Sequence, residues 1–166
     1  MLVGIFSDSH DNLVNIQKFL HFAKVNNFSE LIFCGDLCAP ATLERIIYPN
    51  FSGPIHMIYG NVADRDLLFQ LKSKLPTVKL YGDQGEFIID NLKIAINHYP
   101  DVARKLAESG KYDYVFYGHN HTPWLEVIGR TVLANPGTLA GMFNKATFAV
   151  LDTKTGKLSL KILENL

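Results

Sequence analysis

The sequence predicts an α/β protein in which two β-sheets pack as a sandwich flanked by helices. Three observations lead there. Through residue 75 or so, short apolar runs alternate with amphipathic stretches in the order β-α-β-α-β-α, the pattern of a parallel sheet with right-handed crossovers. The second half is instead rich in short strands with tight turns, which supplies a second sheet to lay on the first. Polar, chemistry-bearing residues recur where strands end, the place where open α/β sheets bind ligands. The 166 residues suit one domain, 1–166, and no repeat, linker or low-complexity segment divides them.

Leu2 to Phe6 reads as a strand buried on both faces. Ser7 to Asn12 is a polar loop. A helix from about Leu13 to Asn26 places Leu13, Ile16, Phe19, Leu20 and Ala23 on one face and Gln17, Lys18, His21 and Lys24 largely opposite, with Asp11 or Asn12 as N-cap. Leu31 to Cys34 is a second strand, ending at Gly35-Asp36. Pro40 suits the first turn of a short helix through about Ile47. Ile55 to Tyr59 is a third strand, ending at Gly60-Asn61. Asp64 caps a helix that carries Leu67, Leu68, Leu71 and Leu75.

Val78 to Tyr81, Glu86 to Ile89 and Leu92 to Asn97 are short strands with turns at Gly82-Asp83 and Asp90-Asn91. His98-Tyr99-Pro100 follows, and Asp101 caps a helix through Ser109 that stops at Gly110. Tyr114 to Tyr117 is a strand ending at Gly118-His119. Trp124 to Ile128 and Thr131 to Ala134 flank Gly129-Arg130 as a hairpin, and Asn135-Pro136-Gly137-Thr138 is a further turn. Thr147 to Leu151 and Leu158 to Ile162 close the chain as a hairpin around Asp152 to Gly156.

A hydrophobic content of 48% and a charged content of 19% place the chain among soluble globular proteins. Sixteen acidic and sixteen basic residues cancel, so no global field argues for nucleic acid or an anionic membrane. No apolar run is long enough to span a bilayer, and the N-terminus lacks the features of a signal peptide. The expected location is the cytoplasm. Cys34 and Cys38 make no disulfide framework and read as reduced thiols. Oligomeric state stays open, a homo-oligomer included.

The candidate site residues are Asp8, His10, Asp36, Asn61, His98, His119 and His121. In extended backbone, residues i and i+2 project to the same side, so Asp8 with His10, and His119 with His121, are expected to aim together. Four of the six histidines fall at strand ends. His21 and His56 instead read as surface or satisfied core residues. Imidazole mixed with carboxylate suits Mn, Fe, Co, Ni or Zn rather than Ca or Mg. Seven ligands exceed one tetrahedral site and suit two divalent ions about 3.5–4 Å apart, bridged by a carboxylate. Asp36, alone at its strand end, is the expected bridge. Such a pair would polarise a bridging water to hydroxide and clamp the oxygens of a phosphate.

Asp8-x-His10, Gly35-Asp36, Gly60-Asn61, His98 and Gly118-His119-x-His121, in that order, resemble the calcineurin-like metallophosphoesterases. Ser7-Asp8-Ser9-His10-Asp11-Asn12 and Asn135-Pro136-Gly137-Thr138 also resemble the small bacterial and archaeal phosphodiesterases of that superfamily. The resemblance spans nearly the whole chain. It implies an α/β/β/α sandwich and a dinuclear centre with Asp8, His10 and His121 on one metal, Asn61, His98 and His119 on the other, and Asp36 bridging. Manganese is the first expectation for the metal. The roughly 6.5–7 Å between strand residues i and i+2 would let His119 and His121 straddle both ions.

The sequence departs from the family at three places, one of them Asp64, which falls one residue later than in the Gly-Asn-Cys-Asp common in the small phosphodiesterases, a subgroup that often lacks the histidine after Gly-Asn too. The histidine that often follows Gly-Asn, thought to protonate the leaving group, is Val62 here. The usual His-Gly is His98-Tyr99, so Tyr99 is expected to narrow the pocket. The expected activity is hydrolysis of a small phosphodiester, with Asp36, Asn61 and His98 catalytic and Arg65 either a phosphate clamp or a solvated arginine at a helix start. Asn12 binds phosphate or caps; Asp11 and Asp64 orient histidines or cap. Cys38 borders the pocket without a catalytic role, and Asn120 points away. Two rivals are a non-catalytic scaffold, like the retromer's small subunit of this fold, and a phosphomonoesterase for a small molecule. The intact ligand set opposes the first, and Val62 opposes the second.

Overall fold

The computed structural model describes residues Met1–Leu166. Four strands, β1 (Leu2–Phe6), β2 (Glu30–Phe33), β3 (Ile55–Met57) and β4 (Val78–Leu80), are linked by α1 (Leu13–Val25), α2 (Pro40–Thr42) and α3 (Arg65–Leu71). There follow β5 (Gln84–Ile89), β6 (Leu92–Asn97), α4 (Pro100–Glu108), β7 (Tyr114–Phe116), β8 (Trp124–Ile128), β9 (Thr131–Asn135), β10 (Thr147–Asp152) and β11 (Lys157–Ile162). One sheet has the order β11-β10-β1-β2-β3-β4, the other β5-β6-β7-β9-β8. Strands β1 to β4 run parallel, as do β6, β7 and β9. Their C-terminal ends deliver the site loops.

Three apolar layers hold the sandwich together. Phe6, Phe33 and Phe148 meet Ile16, Phe19 and Leu20 of α1 on the outer face of the first sheet. Phe6 stacks on Phe33 at 4.4 Å and Phe148 meets Phe19 edge-on at 4.9 Å. Val3, Ile5, Ile32 and Ile58 face Ile94, Ile96 and Phe116 between the sheets. Ala95, Val115 and Leu133 pack on Ala103 and Ala107 of α4. Each large buried side chain contributes about 1.5–3 kcal/mol by leaving water. Leu13 and Leu67, expected on buried helix faces, are exposed.

Three local expectations are corrected. Val78–Leu80 belongs to the first sheet, pairing parallel with β3 in the register Ile55↔Val78, and Gly82-Asp83 is the crossing to the second sheet. The pairing outlasts the strands, since Tyr81 N donates to Met57 O and Tyr59 N to Gly82 O. The helix after Pro40 widens into a π-turn over Leu43–Ile47 and tightens into a 3₁₀ turn over Tyr48–Asn50, where Pro49 has no N–H to extend it. Asp101 is not the cap of α4. Tyr99 holds that position without a side-chain bond, and Pro100 supplies the first helical φ. The Asp90-Asn91 hairpin forms as expected, with φ of 50° and 68° at its two central residues.

His56 is a satisfied core histidine. It is 2% exposed, its Nε2 lies 2.8 Å from Glu30 Oε2, its Nδ1 lies 2.8 Å from Tyr81 OH, and its ring stacks on Phe87 at 4.0 Å. A neutral ring donates to the carboxylate from Nε2 and accepts the phenol proton at Nδ1, so all three groups are paired. Tyr81, pushed up to about 12 by burial and then by Glu30, keeps that proton. Burial pulls His56 below the ordinary histidine range, against the opposing pull of Glu30. A histidine depressed in the folded state binds fewer protons there than in the unfolded chain. Its stability contribution is therefore intact above about pH 6.5, the unfolded value, and falls as pH drops through that value. Urea unfolding at pH 7.5 and 5.5 is expected to show this loss, and His56→Gln is expected to shrink it.

Candidate metal centre

All seven residues singled out by the sequence meet at one edge of the sandwich. The loops after β1, β2 and β3 bring Asp8, His10, Asp36 and Asn61 from the first sheet. The chain after β6 and β7 brings His98, His119 and His121 from the second. Asp8, His10 and His121 form one group: His10 and His121 approach to 3.2 Å through their Nε2 atoms, and His121 Nε2 lies 3.3 Å from Asp8 Oδ1. Asn61 Oδ1 lies 3.0 Å from both His98 Nε2 and His119 Nδ1. Asp36 stands between the groups, with Oδ2 3.8 Å from His10 Nε2 and 3.3 Å from His98 Nε2. Asp8 also lies within ligand-sharing distance of Asp36 and His98.

The strand-geometry rationale for these pairs does not hold. Asp8, His10, Asp36, His119 and His121 all adopt φ between 38° and 74°. They lie in left-handed turns beyond the strands, which cost about 1–3 kcal/mol each where a side chain is present. Backbone bonds hold them there. Asp8 N donates to Gly35 O, His10 N to Asp36 O, Asp36 N to Tyr59 O and Gly118 N to His98 O. Two glycines are fixed by close approach. A Cβ on Gly118 would overlap Ser7 Oγ and lie 2.6 Å from Asp8 Oδ2, and one on Gly60 would overlap Asp36 Oδ1 and lie 2.5 Å from Asp36 N.

Both carboxylates are buried, and their surroundings differ. Burial pushes Asp8 up, against the charges of His98 and His121. Its oxygens also accept from His119 N at 3.1 and 3.2 Å. Burial pushes Asp36 up as well, but the His98 hydrogen bond and charge, with the N–H groups of Asn61 and Val62, outweigh it and leave the carboxyl below its ordinary value. His98 mirrors this: burial pulls it down, and Asp36 more than restores it.

The donor set fits divalent metal. Cys34 O can only accept, so His98 Nδ1, at 2.9 Å, carries the proton and donates it. In the neutral ring the Nε2 lone pair then faces Asn61 Oδ1 and Asp36 Oδ2, where a protonated ring would instead donate an N–H to Asp36. Lone pairs likewise converge from His10, His121 and Asp8. A divalent cation would satisfy such a convergence, and mixed imidazole, carboxylate and amide oxygen suits Mn, Fe, Co, Ni or Zn.

The remaining candidates separate. Arg65 does not face the cluster freely. Its guanidinium grips both oxygens of Asp83, at 2.5 and 3.2 Å, and lies over the Tyr59 ring at 5.0 Å. Asn12 caps α1 through Asn15 N, and its Nδ2 donates to Ala140 O. Asp64 caps α3, and Asp11 accepts from Ala39 N rather than orienting a histidine. Cys38 Sγ lies 3.9 Å from His10 Nδ1. Asn120 Oδ1 accepts from Thr122 N and from Asn135 Nδ2, which tethers the histidine turn.

Sequence reasoning gave Asn135 and Thr138 no role beyond a turn. Buried Asn135 also donates to Gly118 O, and Thr138 Oγ1 donates to Asp8 O, so this turn braces both histidine-bearing loops. The only signal was the Asn-Pro-Gly-Thr tetrapeptide itself.

The fold and this cluster define a metal-dependent phosphoesterase class, and comparison with known proteins agrees. Residues 1–156 match the calcineurin-like phosphoesterase superfamily domain. The chain belongs to that family of phosphoric ester hydrolases. It is 30% identical to phosphodiesterase MJ0936 of Methanocaldococcus jannaschii over 168 aligned residues, covering 99% of this chain and 100% of that protein. A solved archaeal phosphodiesterase superposes with a TM-score of 0.89 at 30% identity, covering 98% of this chain and 99% of that one. Zinc-complexed Vps29 of Entamoeba histolytica shares the fold alone, with a TM-score of 0.71 at 18% identity and coverage of 97% and 96%.

Gly118→Ala is expected to displace Asp8. It should cost about 1–3 kcal/mol of stability, read by urea unfolding, and lower the metal content of the purified protein.

Proposed function

We propose that the protein is a phosphodiesterase with a dinuclear metal centre, acting on a small phosphodiester in the cytoplasm. The observation that carries this reading is the complete set of seven ligands at one locus, with Asp36 between its two halves. Asp8, His10 and His121 would hold one cation, Asn61, His98 and His119 the other, and Asp36 would touch both. Manganese is the first choice. When bound, the two cations supply Lewis acidity to the phosphate and acidify the attacking water. The 30% identity to an archaeal phosphodiesterase supports the choice of diester.

The chain's own residues then set the chemistry. The Asn61 and Val62 N–H groups fix Asp36 Oδ1, so Oδ2 is left toward His10 and His98. The Cys34 carbonyl keeps the His98 proton on Nδ1. Val62 offers no proton to a departing alkoxide, so esters whose leaving groups have low pKa should react fastest. Arg65, held by Asp83, would reach phosphate only by giving up that pair.

Bis(p-nitrophenyl) phosphate should be hydrolysed in the presence of Mn, and faster than an alkyl phosphomonoester. A chelator should abolish turnover and added Mn should restore it. Absence of turnover with Mn, Ni, Co and Zn alike would favour a scaffold role. Asp36→Asn replaces an acceptor facing two histidines with a donor. It is expected to lose bound metal and at least about a hundredfold in kcat, with an unchanged circular dichroism spectrum. Retained activity in that variant would refute the two-cation scheme.

A further inference from the structure

We propose that Tyr99 and Phe143 are specificity-determining residues that stack against a flat aromatic ester group of the substrate, one at each end of the metal centre. This inference rests on the phosphodiesterase reading above. Tyr99 presents its ring edge-to-face to two histidines, 5.0 Å from His119 and 5.3 Å from His98, and is 39% exposed. Phe143 lies at the opposite half, its ring 5.8 Å from that of His121. One aromatic ring therefore borders each of the two ligand groups.

Phe143 has no structural reason to be where it is. Its side chain is 91% exposed and belongs to none of the apolar layers. Its φ of 65° is a conformation that a bulky residue adopts only when its surroundings impose it. The segment that carries it is tied down at both ends. On one side, Ala140 N donates to Asp8 O, while Asn12 and Asn15 donate to Ala140 O. On the other, Asn144 Nδ2 donates to His121 O. The segment is pinned to the backbone of two candidate metal ligands, and its tip displays a ring beside the site.

Tyr99 is placed with similar firmness. Its N–H is accepted by Asn97 Oδ1, and Pro100 starts α4 directly after it. Both rings are exposed on segments anchored nearby, Tyr99 through its own N–H and Phe143 through Ala140 and Asn144, and an exposed ring beside the site favours a planar partner over an alkyl one.

The test is calorimetric binding of diphenyl phosphate and diethyl phosphate to the Mn-loaded protein. Wild type is expected to prefer the diphenyl ester at least about tenfold. Phe143→Ala and Tyr99→Ala should each reduce that preference about three- to tenfold. Phe143→Trp and Tyr99→Phe, which keep a ring, should preserve it. A preference that stays unchanged in either alanine variant overturns the proposal. Thymidylyl-thymidine, substituted for diphenyl phosphate, distinguishes a nucleobase from a simple aryl group by whether its binding depends on the same two rings. Binding that follows this pattern without turnover of bis(p-nitrophenyl) phosphate would refute the phosphodiesterase reading, and with it a role in substrate choice, and leave the two rings only as a binding surface for aromatic phosphates.

Discussion

The structure turns on a repulsion that backbone geometry overcomes. Two buried carboxylates, four imidazoles and an amide oxygen are held with their nitrogen and oxygen atoms crowded to 3.0–4.0 Å. Left to themselves these groups would separate or take up protons. Hydrogen bonds between loops, most of them to backbone N–H and C=O groups, keep them together. Asp8 N to Gly35 O and Asp36 N to Tyr59 O tie the three site loops of the first sheet in series. Gly118 N to His98 O ties the two loops of the second. The strained φ values at five ligands are the local cost of this arrangement, and the apolar layers beneath offset it.

The layers, the strand ends and the seven residues that cluster were all legible because each leaves a local mark. A buried strand needs an apolar run. A ligand packed against its neighbour's backbone needs glycine beside it, so Gly60-Asn61 and Gly118-His119 announce close approach as well as a turn. What could not be read was any feature set by a partner distant in sequence. Arg65 looked available until Asp83, across the crossing between sheets, was found to grip it. Asn135 became a brace only through Gly118 and Asn120, and the exposure of Phe143 has no signature in composition. Asp8 with His10, and His119 with His121, come together without the extended geometry expected of them. The spacing was real, but the backbone there is left-handed rather than extended.

The absence of a proton donor at Val62 and the rings at Tyr99 and Phe143 bear on one another. A site that does not assist the leaving group works best on esters that leave unaided, and phenols are such groups. The same groups are flat. In the proposed reading, chemical need and binding surface would favour the same kind of molecule, although the two features arise on different sheets and different loops.

The division of the ligands between the sheets has a mechanical consequence. Asp8, His10, Asp36 and Asn61 come from one sheet and His98, His119 and His121 from the other. In the proposed assignment each cation draws ligands from both. Elsewhere the sheets meet through apolar side chains such as Ile5, Ile32 and Phe116, which resist separation but have little directional preference. The two cations would act as rivets at one rim of this greasy contact, locking the sheets against sliding. Catalytic alignment and the cohesion of the two halves would then be the same property, and loss of metal would loosen the rim before it unfolded the core.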